Sequence, residues 1–499
     1  MFRHSQLESV KSWLTHPASA ALPLHARIQR AIRQMILDGA IAPGRPLPAS
    51  RALAVSLGVS RDTVEAAYTQ LHAEGFIERR VGSGSFVADG SGFPVRPRRQ
   101  SSGAMVSPPA LSRRGTMMAM GGGVREAASP HPFAPGIPET RTFPLALWER
   151  LQRQVMKEAG TRALLHGDPQ GVEPLRRAIA DYVNLERGAR ASPDQVLVLT
   201  CAQQAMMLCA TVLLDPGERI YLEDPAYYGA RRAFEAAGLD CVPVPVDGQG
   251  ITVAPVLDDP RPARALCLTP SHQFPTGATL ALDRRLALID WAARQQAWII
   301  EDDYDSEFHY AGRPTACVQG LDPHGRTIYI GTFTKSLFPG LRIGYAVLPP
   351  HLVQPMTAAR TLLDGHTAPL AQLTLARFME GGHFGAHVRS MRSLYARRLD
   401  VLSGLVRRHL SGRLEAHCPA GGLQMACGLT DATTEQAAVE AARAAGVTLL
   451  GLSGLYADRN SPGISGFLLG FAAYTTTEME EAVKALAGAF GRLRGAGHS

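Results

Sequence analysis

Apolar residues recur with helical spacing near the start of the chain. In "PLHARIQRAIRQMILDG" they form one stripe, made of Leu24, Ile28, Ile32, Met35 and Ile36. A short helix over 50–57 is expected next, then a turn at Gly58, and Ser60 is a good N-cap for a third helix that ends near 74. "FIERRVGSGSFVA" predicts two short strands after it. This order predicts a helix-turn-helix followed by a β-hairpin wing.

Periodicity disappears between about 88 and 131. The stretch "DGSGFPVRPRRQSSGAMVSPPALSRRGTMMAMGGG" is rich in Gly, Pro, Ser and Arg, and it offers too little apolar surface to offset the entropy of ordering. The sequence therefore predicts four regions: an N-terminal tail over 1–22, a winged-helix domain over 23–88, a flexible basic linker over 89–131 and a large domain over 132–499.

In the large domain, short apolar runs alternate with helical patterns. The runs are rich in β-branched residues and lead into turns marked by polar residues, Gly or Pro: "QVLVLT", "RIYLEDP", "ARALCLTP", "AWIIEDDY" and "TIYIGTFTK". This alternation predicts an α/β domain with a mostly parallel sheet. Ligands of such sheets bind at the carboxyl ends of the strands, and Asp302 and Lys335 lie just past two of these runs.

Length and composition indicate a globular protein of two or three domains. The chain has 499 residues, 45% of them hydrophobic, and it has no apolar run long enough to span a membrane. Its seven cysteines include no C-x-x-C pair, which argues against a zinc site and favours reduced thiols. We therefore expect a cytoplasmic protein with no membrane contact and no bound metal.

The positive charge is concentrated in the first quarter of the chain. Residues 1–131 contain 16 Lys and Arg against 8 Asp and Glu, a balance of +8, and the remaining 35 against 36 give −1. A basic segment on a neutral body indicates nucleic-acid binding. The alternative is a small helical domain with an arginine-rich, solvated surface.

A winged helix places the N-terminal residues of its third helix in the major groove. Here those residues are Arg61, Asp62 and Thr63, with the N-cap Ser60 beside them. Other residues are expected to reach phosphates or the minor groove; they are Arg51, Arg79, Arg80 and Gly82.

Lysine is rare in this chain. Only four of its 51 Lys and Arg residues are lysines: Lys11, Lys157, Lys335 and Lys484. A lysine amine can lose its proton and form a Schiff base, which a guanidinium does not do. A solvated lysine is the alternative for Lys335.

The residues around Lys335 include the groups that a pyridoxal 5'-phosphate site requires. Lys335 can supply the amine, and Asp302 can hold the pyridine nitrogen protonated. Tyr227 is the candidate for stacking on the ring, and Tyr304 for a hydrogen bond to its phenolic oxygen. The phosphate could be bound by side chains and by the amides of a helix N-terminus: Thr332, Thr334, Arg342, Ala202 and Gln203.

Two sets of motifs resemble known families. "LPASRALAVSLGVSRDTVEAAYTQLHAEGFIERRVGSGSFV" resembles the winged helix of GntR-type bacterial regulators. "PSHQFPTG", "EDDYDSEF" and "TFTKSLFPGLRIGY" are similar, in order and spacing, to the MocR subfamily of those regulators, including its vitamin-B6-responsive members. The resemblance implies a winged helix-turn-helix fused to a fold-type I, aminotransferase-like α/β domain.

The resemblance also implies roles for residues and partners. Lys335 forms the Schiff base with pyridoxal phosphate, Asp302 pairs with the pyridine nitrogen, Tyr227 stacks and Arg342 binds phosphate. His272 or Gln273 stands where aminotransferases have a cofactor-contacting Asn. The implied assembly is a homodimer that binds DNA with paired half-sites.

The chain departs from that pattern where an amino-acid substrate would bind. Aminotransferases of this class hold the substrate carboxylate with an arginine near the C-terminus, where this chain has Leu468 and Leu469. An amino-acid-sensing relative also uses an arginine two residues after the stacking tyrosine, where this chain has Gly229. The alternative is an arginine supplied from elsewhere: Arg313, Arg389 or Arg392.

Two functions follow from these observations. The first is a transcriptional regulator of vitamin B6 or amino-compound metabolism, which responds to pyridoxal phosphate or to its imine with an amino acid or amine. The second is a pyridoxal-phosphate-dependent aminotransferase with an accessory N-terminal domain. The intact winged helix and the missing arginines favour the regulator over the enzyme, with a residual half-reaction still open.

Overall fold

The computed structural model describes residues 4–15, 21–80, 82–89, 110–121, 131–310, 315–458 and 465–495. The chain divides into two compact units, Met1–Ala110 and Leu111–Ser499. Among the described residues, no helix is both long enough and apolar enough to cross a lipid bilayer.

The first unit is a winged helix. Its elements in chain order are α1 (His4–Thr15), α2 (Leu24–Leu37), α3 (Ser50–Leu57), α4 (Arg61–Ala73), β1 (Ile77–Arg80) and β2 (Gly84–Val87). Gly58 has a left-handed φ of 68° and closes the turn between α3 and α4, and β1 and β2 pair antiparallel. The predicted winged helix-turn-helix is therefore confirmed.

The N-terminal segment differs from the prediction of a tail. Helix α1 carries Val10, which is fully buried in the core of the first unit, and Leu7 and Leu14 pack against the same core. These three positions are spaced three and four residues apart, as on one face of a helix. The segment therefore belongs to the winged-helix unit, because its apolar stripe is needed to cover α2.

The second unit contains thirteen α-helices among the residues that the structure describes. They are α5 (Arg113–Gly121), α6 (Leu145–Ala159), α7 (Glu173–Arg187), α8 (Ala202–Leu213), α9 (Tyr228–Ala237), α10 (Ala254–Leu257), α11 (Leu282–Gln295), α12 (Val318–Leu321), α13 (Pro350–Asp364), α14 (Pro369–Glu380), α15 (His383–His409), α16 (Glu435–Ala444) and α17 (Thr476–Gly495).

The strands of the second unit form two sheets. The strands of the larger sheet are β3 (Val196–Leu199), β4 (Arg219–Asp224), β5 (Asp240–Asp247), β6 (Gly250–Ile251), β7 (Ala265–Leu268), β8 (Trp298–Asp303), β9 (Thr327–Thr332) and β10 (Gly344–Val347). Those of the smaller sheet are β11 (Leu414–His417), β12 (Gln424–Leu429), β13 (Leu450–Gly451) and β14 (Gly466–Gly470).

The larger sheet has the order β3-β10-β9-β8-β7-β4-β5-β6. Strands β9, β8, β7, β4 and β5 are parallel, and β10 runs antiparallel between β9 and β3. Buried residues of β7, β8 and β9 alternate between the two faces of the sheet and pack in clusters on both sides. The predicted α/β fold of the aminotransferase type is confirmed, and all five predicted strands are present.

The predicted linker contains a helix that the sequence analysis did not anticipate. Helix α5 lies within 89–131, and the Arg114 guanidinium donates to the carbonyl oxygens of Ala236 and Ala237 at the end of α9, at 3.1 and 3.4 Å. A cation at a helix C-terminus is favourable because the last carbonyls have no helical partner. This contact places α5 in the second unit. Residues 90–109 and 122–130 lie outside the described part of the chain.

Candidate functional site

The candidate site lies at the carboxyl edge of the parallel strands. Asp302 is the penultimate residue of β8, Thr332 ends β9, and the loop after β3 leads into α8. Gly344 at the start of β10 pairs with Thr332 on one side and Leu199 on the other. The sheet order therefore brings together residues that are far apart in the sequence.

Lys335 follows β9 and points toward the segment before α6. Its Nζ donates a 2.7 Å hydrogen bond to the carbonyl oxygen of Gly136, which has a left-handed φ of 72°. Glu139 anchors that segment. It is buried, its carboxylate forms a 2.8 Å ion pair with Arg398, and its backbone amide donates a 2.8 Å hydrogen bond to the Tyr395 hydroxyl. The amine of Lys335 is thus part-buried beside an anchored loop.

Asp302 is a buried carboxylate with one unsatisfied oxygen. It is 4% exposed, and its Oδ1 accepts no hydrogen bond from any described residue. Burial raises its pKa to about 8, the charges of Asp303, Glu223 and Asp305 add to the rise, and the charge of Lys335 opposes it. Such an oxygen fits a protonated ring nitrogen.

The raised pKa of Asp302 gives a prediction about the ligand-free protein. Between the ordinary value of 3.8 and about 8, the folded chain keeps a proton on Asp302 that the unfolded chain has released. The free energy of unfolding should therefore fall as pH rises through this range, by up to about 1.4 kcal/mol per pH unit. Urea unfolding at pH 5 to 9 measures the slope. Asp302→Asn should remove the part of this slope that comes from the Asp302 proton. A slope in Asp302→Asn equal to that of the parent chain would contradict the assignment.

The residues predicted to bind a phosphate lie at the end of β9, just after it, and at the start of α8. The Thr332 hydroxyl lies 3.0 Å from that of Thr334 and accepts the Thr334 amide at 3.2 Å. Arg342 is exposed and adopts a left-handed φ of 54°, a strained backbone of the kind found at functional sites. At the start of α8, the amides of Ala202 and Gln203 have no acceptor among the described residues. A helix N-terminus with free amides favours an anion.

Aromatic side chains pack together near the start of α9. Tyr227 lies at the start of α9, with its ring centroid 5.6 Å from that of Phe274, and Phe274 is 6.2 Å from Tyr304. The Gln203 amide donates to the Gly229 carbonyl at 2.8 Å and so joins α8 to the Tyr227 loop. Burial and the neighbouring charges of Asp305 and Asp302 hold the pKa of Tyr304 well above its ordinary value.

His272 and Gln273 already have protein partners. His272 Nδ1 is 2.9 Å from Asp305 Oδ1, and the Asp305 charge raises the pKa of His272 although burial alone would lower it. The Gln273 amide donates to the Pro225 carbonyl and accepts the Thr276 hydroxyl, so it holds the turn. A contact of His272 with a cofactor stays a prediction.

The structure explains the two departures from the aminotransferase pattern. Leu468 and Leu469 are both fully buried, in two different apolar clusters. A Cβ on Gly229 would lie 2.5 Å from the Tyr227 ring and 2.7 Å from Gln203 Oε1, so an arginine there would displace the tyrosine. Arg392 donates to the Glu307 carbonyl at 2.9 Å and Arg389 is exposed, whereas Arg313 lies outside the described residues.

Sequence reasoning missed several residues of this region. Gln424 on β12 and Gly136 both lie beside Lys335. Behind Asp302, Asp303 accepts the Tyr329 hydroxyl at 2.5 Å and pairs with Arg187 at 3.4 Å. These contacts join residues more than 25 positions apart, so no local pattern could have found them.

The winged helix presents the other predicted site. Ser60 caps α4 by accepting the Thr63 amide at 3.2 Å, and its hydroxyl is 2.7 Å from that of Thr63. Arg61, the first residue of α4, is exposed, as are Arg51 and the wing residue Gly82. The N-terminal residues of α4 are thus positioned together on the surface.

The two wing arginines are less free than the sequence analysis expected. Arg79 donates to Thr69 at 3.0 Å and pairs with Glu65 at 3.3 Å, both on α4. Arg80 stacks on Phe86 at 4.6 Å and pairs with Glu78 at 3.6 Å. Surface pairs of this kind contribute about 0–1 kcal/mol, so a phosphate can compete for both.

The residues of the second unit fit pyridoxal phosphate on physical grounds. Asp302 has an unpaired, buried carboxylate oxygen and lies close enough to Lys335 for the lysine charge to lower its pKa. The backbone of Cys201, which precedes the free amides of α8, lies 3.1 Å from the Cβ position of Gly344, the residue that pairs with Thr332. Tyr227 is the side chain predicted to stack on the ring. An amine, a proton acceptor, an anion cradle and a stacking ring are the four parts that this cofactor needs.

Two family models match the chain. The model for bacterial regulatory proteins of the gntR family matches residues 24–87. The model for aminotransferase class I and II matches residues 138–486.

The chain is also similar to individual proteins over most of its length. A probable rhizopine catabolism regulatory protein MocR of Rhizobium meliloti is 37% identical over 96% of both chains. The pyridoxine biosynthesis transcriptional regulator PdxR of Corynebacterium glutamicum is 32% identical over 75% of this chain and 77% of its own. The kynurenine aminotransferase of Pyrococcus horikoshii, solved in complex with PMP, aligns with a TM-score of 0.68 and 26% identity over 77% of this chain and 95% of its own.

Proposed function

Because the chain belongs to the MocR subfamily of GntR-type transcriptional regulators, in which a winged helix is joined to an aminotransferase class I and II domain, we propose that occupancy of the Lys335 site controls its binding to DNA. The protein is a DNA-binding transcriptional regulator that binds pyridoxal phosphate. The effector is pyridoxal phosphate itself or the product of its reaction with an amine. The controlled genes serve vitamin B6 or amino-compound metabolism.

The observation that carries this proposal is the unpaired, buried Asp302 beside Lys335. When bound, pyridoxal phosphate supplies an aldehyde that reacts reversibly with primary amines, including that of Lys335. Asp302 then holds the ring nitrogen, Tyr304 the phenolic oxygen, and Arg342 with Thr332 and Thr334 the phosphate. A ligand shifts DNA affinity only if it binds one arrangement of the chain better than another.

An aminotransferase is the second candidate function. It is favoured by the likeness to the solved kynurenine aminotransferase. It is disfavoured by Leu468 and Gly229, because a substrate carboxylate would meet neither expected arginine and burying it unpaired is costly. We therefore assign the aminotransferase fold to sensing.

The test is binding of the purified full chain to the DNA upstream of its own gene. Affinity is measured without cofactor, with pyridoxal phosphate, and with cofactor plus single amines and amino acids. A change in affinity with cofactor, or with cofactor and one amine, is expected. Unaltered affinity in every arm, with transamination of an amino acid in the same preparations, would favour the enzyme.

We also propose that the regulator is a cytoplasmic homodimer that reads paired half-sites. Four leucines of the second unit are strongly exposed around the contact between His166 and His366, whose ring nitrogens are 3.2 Å apart. They are Leu164 (72%), Leu165 (65%), Leu362 (88%) and Leu363 (59%). Apolar clusters of this kind mark interaction surfaces, and a two-fold dimer would present two winged helices.

Replacing one of these leucines should weaken the dimer. Leu362→Glu would place a charge in the apolar patch, so we expect the dimer dissociation constant to rise at least about tenfold, that is by about 1.4 kcal/mol. Sedimentation equilibrium measures it. Leu185→Glu is the matched control, because Leu185 is 82% exposed on α7. Equal effects of the two substitutions would remove the patch from the interface.

Arg61→Ala should weaken DNA binding by about 1–3 kcal/mol, or roughly tenfold to a hundredfold. The reason is that Arg61 is the exposed first residue of the recognition helix α4. Fluorescence anisotropy with the upstream DNA measures the affinity, and absorbance checks that cofactor loading is unaltered. Arg30→Ala, at an exposed position of α2, serves as the control. If Arg61→Ala binds the DNA as tightly as the parent chain, α4 is not the reading helix.

A further inference from the structure

One face of the smaller sheet closes the space beside Lys335. Strands β12 and β14 pair with Leu468 opposite Ala426. Alternate residues of a strand share a face, so Gln424, Ala426 and Leu468 lie on the same side. Ala426 and Leu468 pack in one cluster with Phe274 and Tyr227. This face therefore forms the wall of the ligand space opposite the larger sheet.

Gln424 brings a polar atom into that wall. The residue is 7% exposed, and its Oε1 accepts no hydrogen bond from any described residue. The position of a Cβ on Gly136 lies 3.7 Å from Gln424 Oε1 and 3.1 Å from Lys335 Nζ. The amide oxygen and the lysine amine thus border the same small volume. A buried acceptor without a partner is costly, so a ligand that enters this volume is expected to supply a donor.

Three further unpaired buried oxygens of this region are acceptors as well. Within the described residues they are Asp302 Oδ1, Asp305 Oδ2 and Gln203 Oε1, and the unpaired hydroxyls of Ser306 and Ser336 can either donate or accept. The Gln203 amide nitrogen already donates to the Gly229 carbonyl, which fixes its orientation. The proposed function assigns Asp302 Oδ1 to the cofactor and leaves the rest to the effector.

Buried carboxyl groups lie on the same side of the site. Besides burial, Asp305, Asp302 and Glu223 raise the pKa of Tyr304 through their charges when they are ionised. A ligand carboxylate would meet these carboxyl groups and the acceptor oxygens here. A ligand with N–H and O–H groups would satisfy the acceptors.

Two arginines on elements that flank the site are engaged in other contacts. Arg231 pairs with Asp224 at 3.2 Å, and Arg187 pairs with Asp303 at 3.4 Å. The two family positions for a carboxylate-binding arginine are Leu468 and Gly229. Among the described residues named for this site, the remaining cations are Lys335 and Arg342, and the proposed function assigns both to the cofactor.

We infer that the effector is a primary amine that carries hydroxyl or further amine groups and no carboxylate, with Gln424 accepting a hydrogen bond from it. This inference rests on the proposed function, because the amine is sensed through the cofactor at Lys335. Gln424 is a specificity-determining residue of the site. Leu468 contributes by leaving the wall uncharged.

The test compares amines that differ only in the carboxylate. The full chain with pyridoxal phosphate is titrated with ethanolamine against glycine, serinol against serine, and leucinol against leucine. Dissociation constants are taken from the change in cofactor absorbance and from the shift in DNA affinity. At least one amino alcohol is expected to bind about tenfold or more tightly than its amino acid.

Two substitutions connect the preference to the residues. Gln424→Leu should reduce the preference for ethanolamine over ethylamine to about onefold, whereas a merely structural role of Gln424 would alter stability and leave that ratio unchanged. Leu468→Arg should shift the preference toward the amino acids. If Leu468→Arg does not fold, the ratio of ethanolamine to ethylamine affinity in Gln424→Leu still tests the inference.

The outcomes separate the inference from the proposed function. Amino acids that bind as tightly as their alcohols overturn the inference. A response of DNA affinity to pyridoxal phosphate with no effect of any amine also overturns it and leaves the proposed function standing. A chain that shows neither a cofactor band nor a DNA response to pyridoxal phosphate overturns the proposed function and the inference together.

Discussion

We expect the Lys335→Ala variant to lose the long-wavelength absorbance that a lysine-bound pyridoxal phosphate gives. The reason is that Lys335 is the lysine beside Gly136, Gln424 and the unpaired carboxylate of Asp302, so its removal takes away the amine that captures the aldehyde. The response of DNA binding to the cofactor should disappear with the band. Affinity for DNA without cofactor should stay within about twofold, because the winged helix is a separate compact unit.

Two matched variants make this result specific. Lys335→Arg keeps a positive charge near the Gly136 carbonyl but has no amine that forms a Schiff base, so it should also lose the band. Lys484→Ala removes an exposed lysine that pairs with Glu480 at 2.6 Å and should keep it. A band of full intensity in Lys335→Ala would mean that another lysine binds the aldehyde, and the site assignment would fail.

The parts of the fold that could be predicted are those that follow from local sequence patterns. The stripe of α2, the Ser60 cap and the buried strands β3, β4, β7, β8 and β9 each follow from a repeat or a short run. Asp302 and Lys335 could be placed at one sheet edge because both end apolar runs, and parallel strands have their carboxyl ends together. For these residues the local pattern and the tertiary position agree.

The parts that could not be predicted depend on contacts between distant residues. Gly136 and Lys335 are 199 positions apart, and no local sequence pattern around either residue indicates the hydrogen bond that joins them. Arg79 looked available for DNA because Glu65 and Thr69, its partners on α4, are remote in sequence. Tertiary contact decides the environment of a polar side chain, and composition alone does not.

The two helices that the sequence analysis missed have different causes. Helix α1 has a usable stripe, formed by Leu7, Val10 and Leu14, but it is only 12 residues long, so packing against α2 decides whether it forms. Helix α5 lies in a Gly-, Ser- and Arg-rich segment, and its contact with α9 through Arg114 is visible only in three dimensions. Short helices are stabilised mainly by tertiary packing, which a pattern in one segment does not contain.

Asp302→Asn should weaken cofactor binding strongly. The Asp302 carboxylate has an unpaired, buried oxygen, and a hydrogen bond between ionised partners contributes about 1.5–3 kcal/mol. The dissociation constant for pyridoxal phosphate should therefore rise roughly tenfold to a hundredfold. Equilibrium dialysis of the full chain against the cofactor measures it. The residual band should also shift, because a neutral amide does not keep the ring nitrogen protonated.

Asp303→Asn is the contrasting substitution, because Asp303 is the next residue of β8 and carries the same charge. Its carboxylate is held by Arg187 at 3.4 Å and by the Tyr329 hydroxyl, and it faces the other side of the sheet. We expect this change to lower the free energy of unfolding by several kcal/mol, since Arg187 would lose a buried partner, and to alter cofactor affinity much less per folded chain. If instead Asp303→Asn abolishes cofactor binding in folded protein while Asp302→Asn leaves it intact, the pyridine nitrogen pairs with Asp303, and the assignment of the two faces of β8 has to be exchanged.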